Sequence, residues 1–160
     1  MEHDVTEKSQ SLISRLKTKG SAEAHYHLAL IYDRGHGVVK NKERSVFYFE
    51  KAAKQGHVFS GYRLGEMFSK GDGVAVDKNK AQIYFEKAAY NGHVEAQFEL
   101  AMLYFSKQGD KDKESMALHW FKKASQNGHK ESEYYYRLLL SYGIKSKPKD
   151  KIGACYQKVN

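Results

Sequence analysis

The sequence predicts an all-α fold, a right-handed α/α superhelical solenoid of helix-pair repeats, and three observations support this. The dipeptide Gly-His recurs every 36 residues, with the glycines at positions 56, 92 and 128. The residues before it repeat as well, as YFEKAAKQGH, YFEKAAYNGH and WFKKASQNGH. The apolar residues upstream recur at helical spacing. Periods of this length are typical of stacked helix pairs.

Each repeat divides into two helices. In the first repeat Ala24, Leu28 and Tyr32 recur at four-residue steps, which places them on one helix face. A loop containing glycine follows. Asn41 is then placed to cap the second helix, because its side chain can accept a hydrogen bond from a free backbone amide. Gly56 ends that helix, since glycine readily adopts the left-handed conformation found after helices.

The period also predicts how the chain is divided. We expect one domain over residues 1–160, because one helix pair cannot bury its apolar face without a neighbour. Residues 150–158 resemble a degraded second helix, with Tyr156 at its large aromatic position. The expected parts are an N-terminal capping half-repeat over 4–20, repeats over 21–57, 58–93 and 94–129, and a degenerate C-terminal repeat over 130–160.

Composition and charge restrict the function. The 160 residues carry a formal net charge of +8, which favours an acidic protein surface, nucleic acid or an anionic membrane as partner. The lysines are spread along the chain, as on a solvated surface. The single cysteine, Cys155, excludes an intramolecular disulfide. The N-terminus MEHDVTEKSQ has no secretory pattern and no apolar run could span a bilayer, so we expect a cytoplasmic protein.

No motif predicts a reaction. His57, His93 and His129 recur at equivalent positions, but equivalent residues of stacked helices lie roughly 10 Å apart, too far to share a zinc ion. We therefore expect structural histidines at turns. Cys155 has no histidine nearby in sequence to activate it, and the glycine loops follow helices rather than strands. We expect no catalytic residue, no metal and no cofactor. Nucleic acid is not the expected partner, because most tyrosines stand at core positions.

The repeats resemble the Sel1-like repeat, a relative of the tetratricopeptide repeat. The pattern A-x-Y-x-L-A/G-x-x-Y…G-x-G-V…A-x-x-Y-F-x-K-A-A-x-x-G-H runs from Ala24 to His57 and from Ser60 to His93. The third repeat departs from it, with Gln-Gly-Asp at 108–110 in place of G-x-G-V, so we expect a different loop there. The resemblance implies an α/α superhelix that assembles proteins, without a shared catalytic site.

By analogy with the tetratricopeptide repeat, the first helix of each pair lines a concave groove. Apolar residues at groove positions indicate a recognition surface. The alternative is that some of them contact adjacent helices or cover the end of the stack. The predicted groove residues are Tyr26, His27, Leu30, Arg34, Phe59, Tyr62, Arg63, Glu66, Lys70, Phe98, Glu99, Met102, Phe105, Tyr134, Tyr135 and Leu138.

These observations give one hypothesis and two alternatives. The hypothesis is a bacterial, cytoplasmic adaptor or scaffold that binds a partner protein with an acidic surface. The first alternative is an immunity protein that neutralises a toxin or effector by stoichiometric binding. The weaker alternative is a hydrolase-type enzyme, which some related proteins have been proposed to be.

Overall fold

The computed structural model describes residues 2–107 and 109–145, with side chains described from residue 7 onward. Every regular element in these ranges is an α-helix, so the predicted all-α class is confirmed. The helices are α1 (Glu2–Lys19), α2 (Ala22–Arg34), α3 (Lys42–Lys54), α4 (Val58–Lys70), α5 (Lys78–Tyr90), α6 (Val94–Phe105), α7 (Lys111–Gln126) and α8 (Lys130–Ser141).

The chain forms two compact units, Met1–Ala88 and Ala89–Asn160. The first unit contains α1 to α4 and most of α5. Its core is built from fully buried side chains that include Leu28, Phe49 and Leu64. The second unit contains the end of α5 and helices α6 to α8. Leu100, Trp120 and other side chains without solvent exposure form its core. Each core draws on first and second helices, as helix pairs require.

Local signals set the helix ends. Gly35 and Gly71 end α2 and α4 in the left-handed conformation, with φ of +74° and +78°. The Asn41 side chain then caps α3 by accepting a hydrogen bond from the backbone amide of Arg44 at 2.8 Å. Asp77 caps α5 in the same way, through the amide of Lys80 at 2.9 Å. The predicted capping of the second helices is thus confirmed.

The third helix pair has a different loop, as its sequence predicts. Helix α6 ends at Ser106 with φ of −64° rather than at a left-handed glycine. Helix α7 is capped by Asp110 and has 16 residues, whereas α3 and α5 have 13. The loop is therefore short and the second helix begins about one turn early. Gln108 lies outside the described residues.

Helices α1 and α8 are the first and the last helix of the described residues. Helix α1 occupies the range expected for the N-terminal half-repeat, and α8 lies in the first part of the range expected for the degenerate C-terminal repeat. The second helix expected over 150–158 and Cys155 lie outside the described residues.

Candidate protein-binding surfaces

Three of the first helices begin at a histidine that caps the helix. The Nδ1 atom of each accepts a hydrogen bond from the backbone amide three residues later, at 3.2 Å for His57, 3.3 Å for His93 and 3.2 Å for His129. Ser21 caps α2 in the same way through its hydroxyl oxygen. The histidines are structural residues of the turn, as predicted. Their capping role was not inferred, although Ser21, an ordinary capping residue at the equivalent position, indicates it.

The cap histidine of α4 also supports an aromatic side chain on α2. The ring centroids of His57 and Tyr26 are 4.4 Å apart, and Tyr26 is half-buried against Phe49, with 6.0 Å between centroids. Phe59, which follows the cap, remains 59% exposed. A large apolar side chain therefore lies in solvent beside a supported aromatic pair. We call the nine predicted groove residues of α2 and α4, which include Phe59, the first-unit surface.

Other members of the first-unit surface differ in exposure. Tyr62 is half-buried, with its ring 6.0 Å from that of Phe85 in the core. Leu30 is half-buried, whereas His27 and Arg34 are exposed. Nε2 of His27 lies 3.0 Å from a carboxylate oxygen of Glu23. Leu30 and Tyr62 are therefore partly covered, whereas His27 and Arg34 face solvent.

A carboxylate links two cations on the face of α4. Glu66 accepts hydrogen bonds from Arg63 at 2.7 Å and from Lys70 at 3.0 Å. Burial alone would raise the pKa of Glu66, but the hydrogen bonds from Lys70 and Arg63 outweigh it and lower that pKa below its ordinary value. The Glu66 side chain is 17% exposed and that of Lys70 is 70% exposed. The three predicted groove residues thus form one ionic group with an accessible positive end.

Three residues that the sequence did not single out extend this group. Lys42 donates to Asp33 at 2.6 Å and to Asp72 at 2.7 Å. A guanidinium nitrogen of Arg63 lies 3.6 Å from the second oxygen of Asp33. Partial burial alone would lower the pKa of Lys42, but the bonds to Asp33 and Asp72 raise it. These residues are 9 to 39 positions apart in sequence, and no short motif marks them.

The second unit carries an aromatic cluster on α6 and α8. The fully buried ring of Phe121 supports it, and Tyr135 stacks on that ring with centroids 5.0 Å apart. Phe98 stacks on His129 at 4.4 Å, and Phe105 lies 5.7 Å from Tyr135. The three groove aromatics are half-buried, so part of each residue is accessible to solvent. Phe121 was not predicted for this role, although it occupies the core position of Phe49.

More exposed residues surround this cluster. Tyr134 is 65% exposed and meets Tyr135 edge to face, with centroids 5.4 Å apart. Met102, Leu138 and Glu99 are half-buried. We call the seven predicted groove residues of α6 and α8 the second-unit surface. It is mainly aromatic and aliphatic, whereas the first-unit surface mixes apolar with paired charged residues.

All sixteen predicted groove residues are half-buried or exposed. The structure brings Phe98, Phe105 and Tyr135 together in one unit, and Arg63, Glu66 and Lys70 together in the other. That these residues bind a partner stays a prediction. Among the described residues, no three histidine, cysteine or acidic side chains are placed to hold a metal ion. No described helix is both long and apolar enough to cross a membrane.

The helix pairs define the class of protein, an α solenoid of short repeats. The model of the Sel1 repeat matches residues 22–57, 62–93 and 94–129. The chain therefore belongs to the Sel1 repeat family, whose members are generally protein-interaction modules.

Two solved structures are similar to the chain. One is a Sel1 repeat protein from Oxalobacter formigenes, 27% identical, with a TM-score of 0.74 over 82% of this chain and 54% of that one. The other is a protective antigen of uropathogenic Escherichia coli strains that displays an SLR fold. It is 25% identical, with a TM-score of 0.52 over 82% of this chain and 36% of that one. The chain thus spans about half of the first protein and about a third of the second. No curated protein matches the sequence.

Proposed function

We propose that the chain is an adaptor or scaffold module whose partner protein binds the second-unit surface and the first-unit surface. The observation that carries this proposal is the aromatic cluster of α6 and α8, which remains accessible while Phe121 supports it from the core. Accessible aromatic groups of this kind are typical of binding hot spots.

The packing of the aromatic cluster suggests that its rings form a binding surface and are not simply exposed to solvent. Phe98 is stacked on His129, and Tyr135 is stacked on Phe121. Because these rings are already held in place, a partner that covers them immobilises little additional side-chain freedom. Tyr134 adds an exposed ring with a hydroxyl group, which suits an interface that is apolar on one side and hydrated on the other.

The first-unit surface supplies polarity. Lys70 and Arg34 are exposed cations, while Phe59 is an exposed apolar ring. Such a surface suits a partner segment that carries both carboxylates and apolar side chains. This agrees with the net charge of +8 and with the proposed acidic partner.

Affinity capture with matched variants tests the proposal. The tagged chain would be exposed to lysate of its native cell and the captured proteins identified by mass spectrometry. We expect Phe59→Ala or Tyr134→Ala to abolish capture of the partner. The controls are Phe47→Ala and Tyr142→Ala, which remove rings 51% and 73% exposed outside the two surfaces. A partner lost with the controls but retained with the surface variants would overturn the proposal.

Neutralisation of a toxin is the second candidate, and the strongly basic charge favours it if the toxin surface is acidic. The test is to express the product of a neighbouring gene with and without this chain. Rescue of growth together with a stoichiometric complex would support an immunity role, and toxicity unchanged by the chain would oppose it. The Sel1 fold is typically a non-catalytic binding scaffold, and we assign no catalytic residue. A bacterial, cytoplasmic setting remains part of the proposal.

A further inference from the structure

A cleft of about 1010 Å³ lies in the first unit, away from the predicted groove residues. Helix α1 forms one wall with Ser14 and Lys17. The loop after α2, which contains Val39, and the start of α3, with Arg44, form the other. The volume is at the upper end of the range of ligand pockets. The cleft is open, which suits a segment of polypeptide better than an enclosed small molecule.

The cleft is positive and unbalanced. Lys17 and Arg44 are among the lining residues that the structure describes, and none of these described residues is acidic. Neither cation forms an ion pair within the part of the chain that the structure describes. The guanidinium carbon of Arg44 lies 5.4 Å from the ring centroid of Tyr32, which is 5% exposed. This cation–π contact positions the guanidinium group without neutralising it.

The next repeat has an equivalent cation–π contact, and it also has a carboxylate that the cleft lacks. Lys80 is equivalent to Arg44, and its ammonium group lies 5.2 Å from the ring centroid of Phe68, the counterpart of Tyr32. Glu50 stands where the cleft has Ser14, and it accepts a hydrogen bond from the Tyr84 hydroxyl. At the cleft this carboxylate is missing.

The position of Lys17 increases the difference. Its counterpart in the next repeat is Ala53. Asn41, which also lines the cleft, has Asp77 as its counterpart, so the cleft has one cation more and two carboxylates fewer than the corresponding place 36 residues later. A carboxylate from another molecule would restore the missing charge.

We propose that this cleft binds an acidic segment of a partner protein, with a carboxylate between Lys17 and Arg44 and an apolar side chain against Val39. Val39 is 88% exposed. Its apolar side chain would give no favourable contact to a free anion. An acidic peptide with interspersed apolar residues matches both features. The site is separate from the two surfaces proposed above and does not depend on them.

Fluorescence anisotropy with a labelled peptide of alternating glutamate and leucine tests the proposal. We expect the double variant Lys17→Gln, Arg44→Gln to bind it about tenfold more weakly, because each exposed ion pair contributes up to about 1 kcal/mol. The matched control is Lys19→Gln, Lys54→Gln, which removes two exposed lysines from the same two helices outside the cleft. We expect it to bind almost as tightly as the unmodified chain. Val39→Ser should weaken binding about threefold through lost apolar contact.

Several results would overturn the proposal. Equal losses in the two double variants would show general attraction between opposite charges. Equal binding of a peptide with glutamine in place of glutamate would show that no carboxylate is recognised. Displacement by inorganic phosphate or a single-stranded oligonucleotide at matched ionic strength, or no effect of Val39→Ser, would show a general anion site. Circular dichroism of each variant verifies the fold. Phe47→Ala, which removes an exposed ring outside both the cleft and the first-unit surface, should leave peptide binding unchanged.

Discussion

The ring of Phe85 lies directly against Gly65, so closely that a Cβ atom at Gly65 would be 2.5 Å from two ring carbons. The equivalent residues of the neighbouring repeats are Ala29 and Ala101. Alanine is therefore what the repeat pattern suggests here, and helix propensity favours it by about 1 kcal/mol. Because Phe85 is buried and cannot move away, we expect overpacking to outweigh that gain. Gly65→Ala should lower the free energy of unfolding by about 1 kcal/mol in urea titrations.

Gly61 provides the control in the same helix. A Cβ atom there would lie 3.8 Å from the Cβ of Ala88, an ordinary contact. Gly61→Ala should therefore stabilise the chain by about 0.5–1 kcal/mol. If both variants gain stability equally, the close contact at Gly65 has no energetic consequence.

The capping role of His57 predicts that substitutions at this position destabilise the chain to different extents. His57→Ala removes the acceptor for the Ser60 amide and should cost about 1 kcal/mol of stability. His57→Asn keeps an acceptor and should retain most of that stability, while it loses the ring contact with Tyr26. Thermal and urea unfolding would measure the order. His36→Ala, at an exposed loop position, is the control. Equal losses for His57→Ala and His57→Asn would assign the stability to the ring rather than to the cap.

Lys42 and Lys78 occupy equivalent positions but have different partners. Lys42 binds two carboxylates, whereas Lys78 donates to the backbone oxygen and the hydroxyl group of Ser69. Lys42→Met should cost about 1–2 kcal/mol, because Asp33 is 11% exposed and would lose its shortest ionic bond. The loss should shrink in high salt. Lys78→Met should change stability by less than about 0.5 kcal/mol. Unfolding curves at low and high salt that do not distinguish the two variants would contradict this account.

The lowered pKa of Glu66 predicts that the stability of the chain depends on pH. Its pKa in the folded chain is lowered from the ordinary 4.5, so its stabilising contribution is present above that value and is lost as the pH falls through the folded pKa. Glu66→Gln should therefore be less stable than the unmodified chain at neutral pH, and the difference should shrink between about pH 5 and pH 3. Urea unfolding across this range measures it. Glu43→Gln, exposed on α3, controls for the loss of one charge. A gap between the unmodified chain and Glu66→Gln that stays constant would contradict the prediction.

The helices were predictable because their boundaries depend on local chemistry. Gly56 has φ of +87°, which favours glycine, and Asn41 caps α3 through its own side chain. Both effects operate within a few residues, and the period repeats them. Position on a helix face follows from the same period, which is why none of the predicted groove residues is buried.

The ion pairs between charged side chains were not predictable in the same way. Lys42 and Asp72 are 30 positions apart, and their bond depends on the path of the loop after α4, which contains Asp72. The sequence indicates which residues of α4 reach the surface, but not that Glu66 holds Arg63 and Lys70 together. The unbalanced charge of the cleft beside α1 can be inferred only from a comparison between repeats. Ser14 and Lys17 are ordinary surface residues by themselves, but Glu50 and Ala53 occupy the equivalent positions of the next repeat.

The third helix pair keeps the 36-residue spacing even though its loop is short, because α7 begins earlier by about the same length. Phe121 therefore remains fully buried, like Phe49 and Phe85 at the same position of the earlier repeats. The 36-residue period therefore determines which residues of the second helix face the core, and it does not determine the length of any one segment. Loops and first turns can thus be exchanged between helix pairs, provided that the residues which reach the core keep their place in the count.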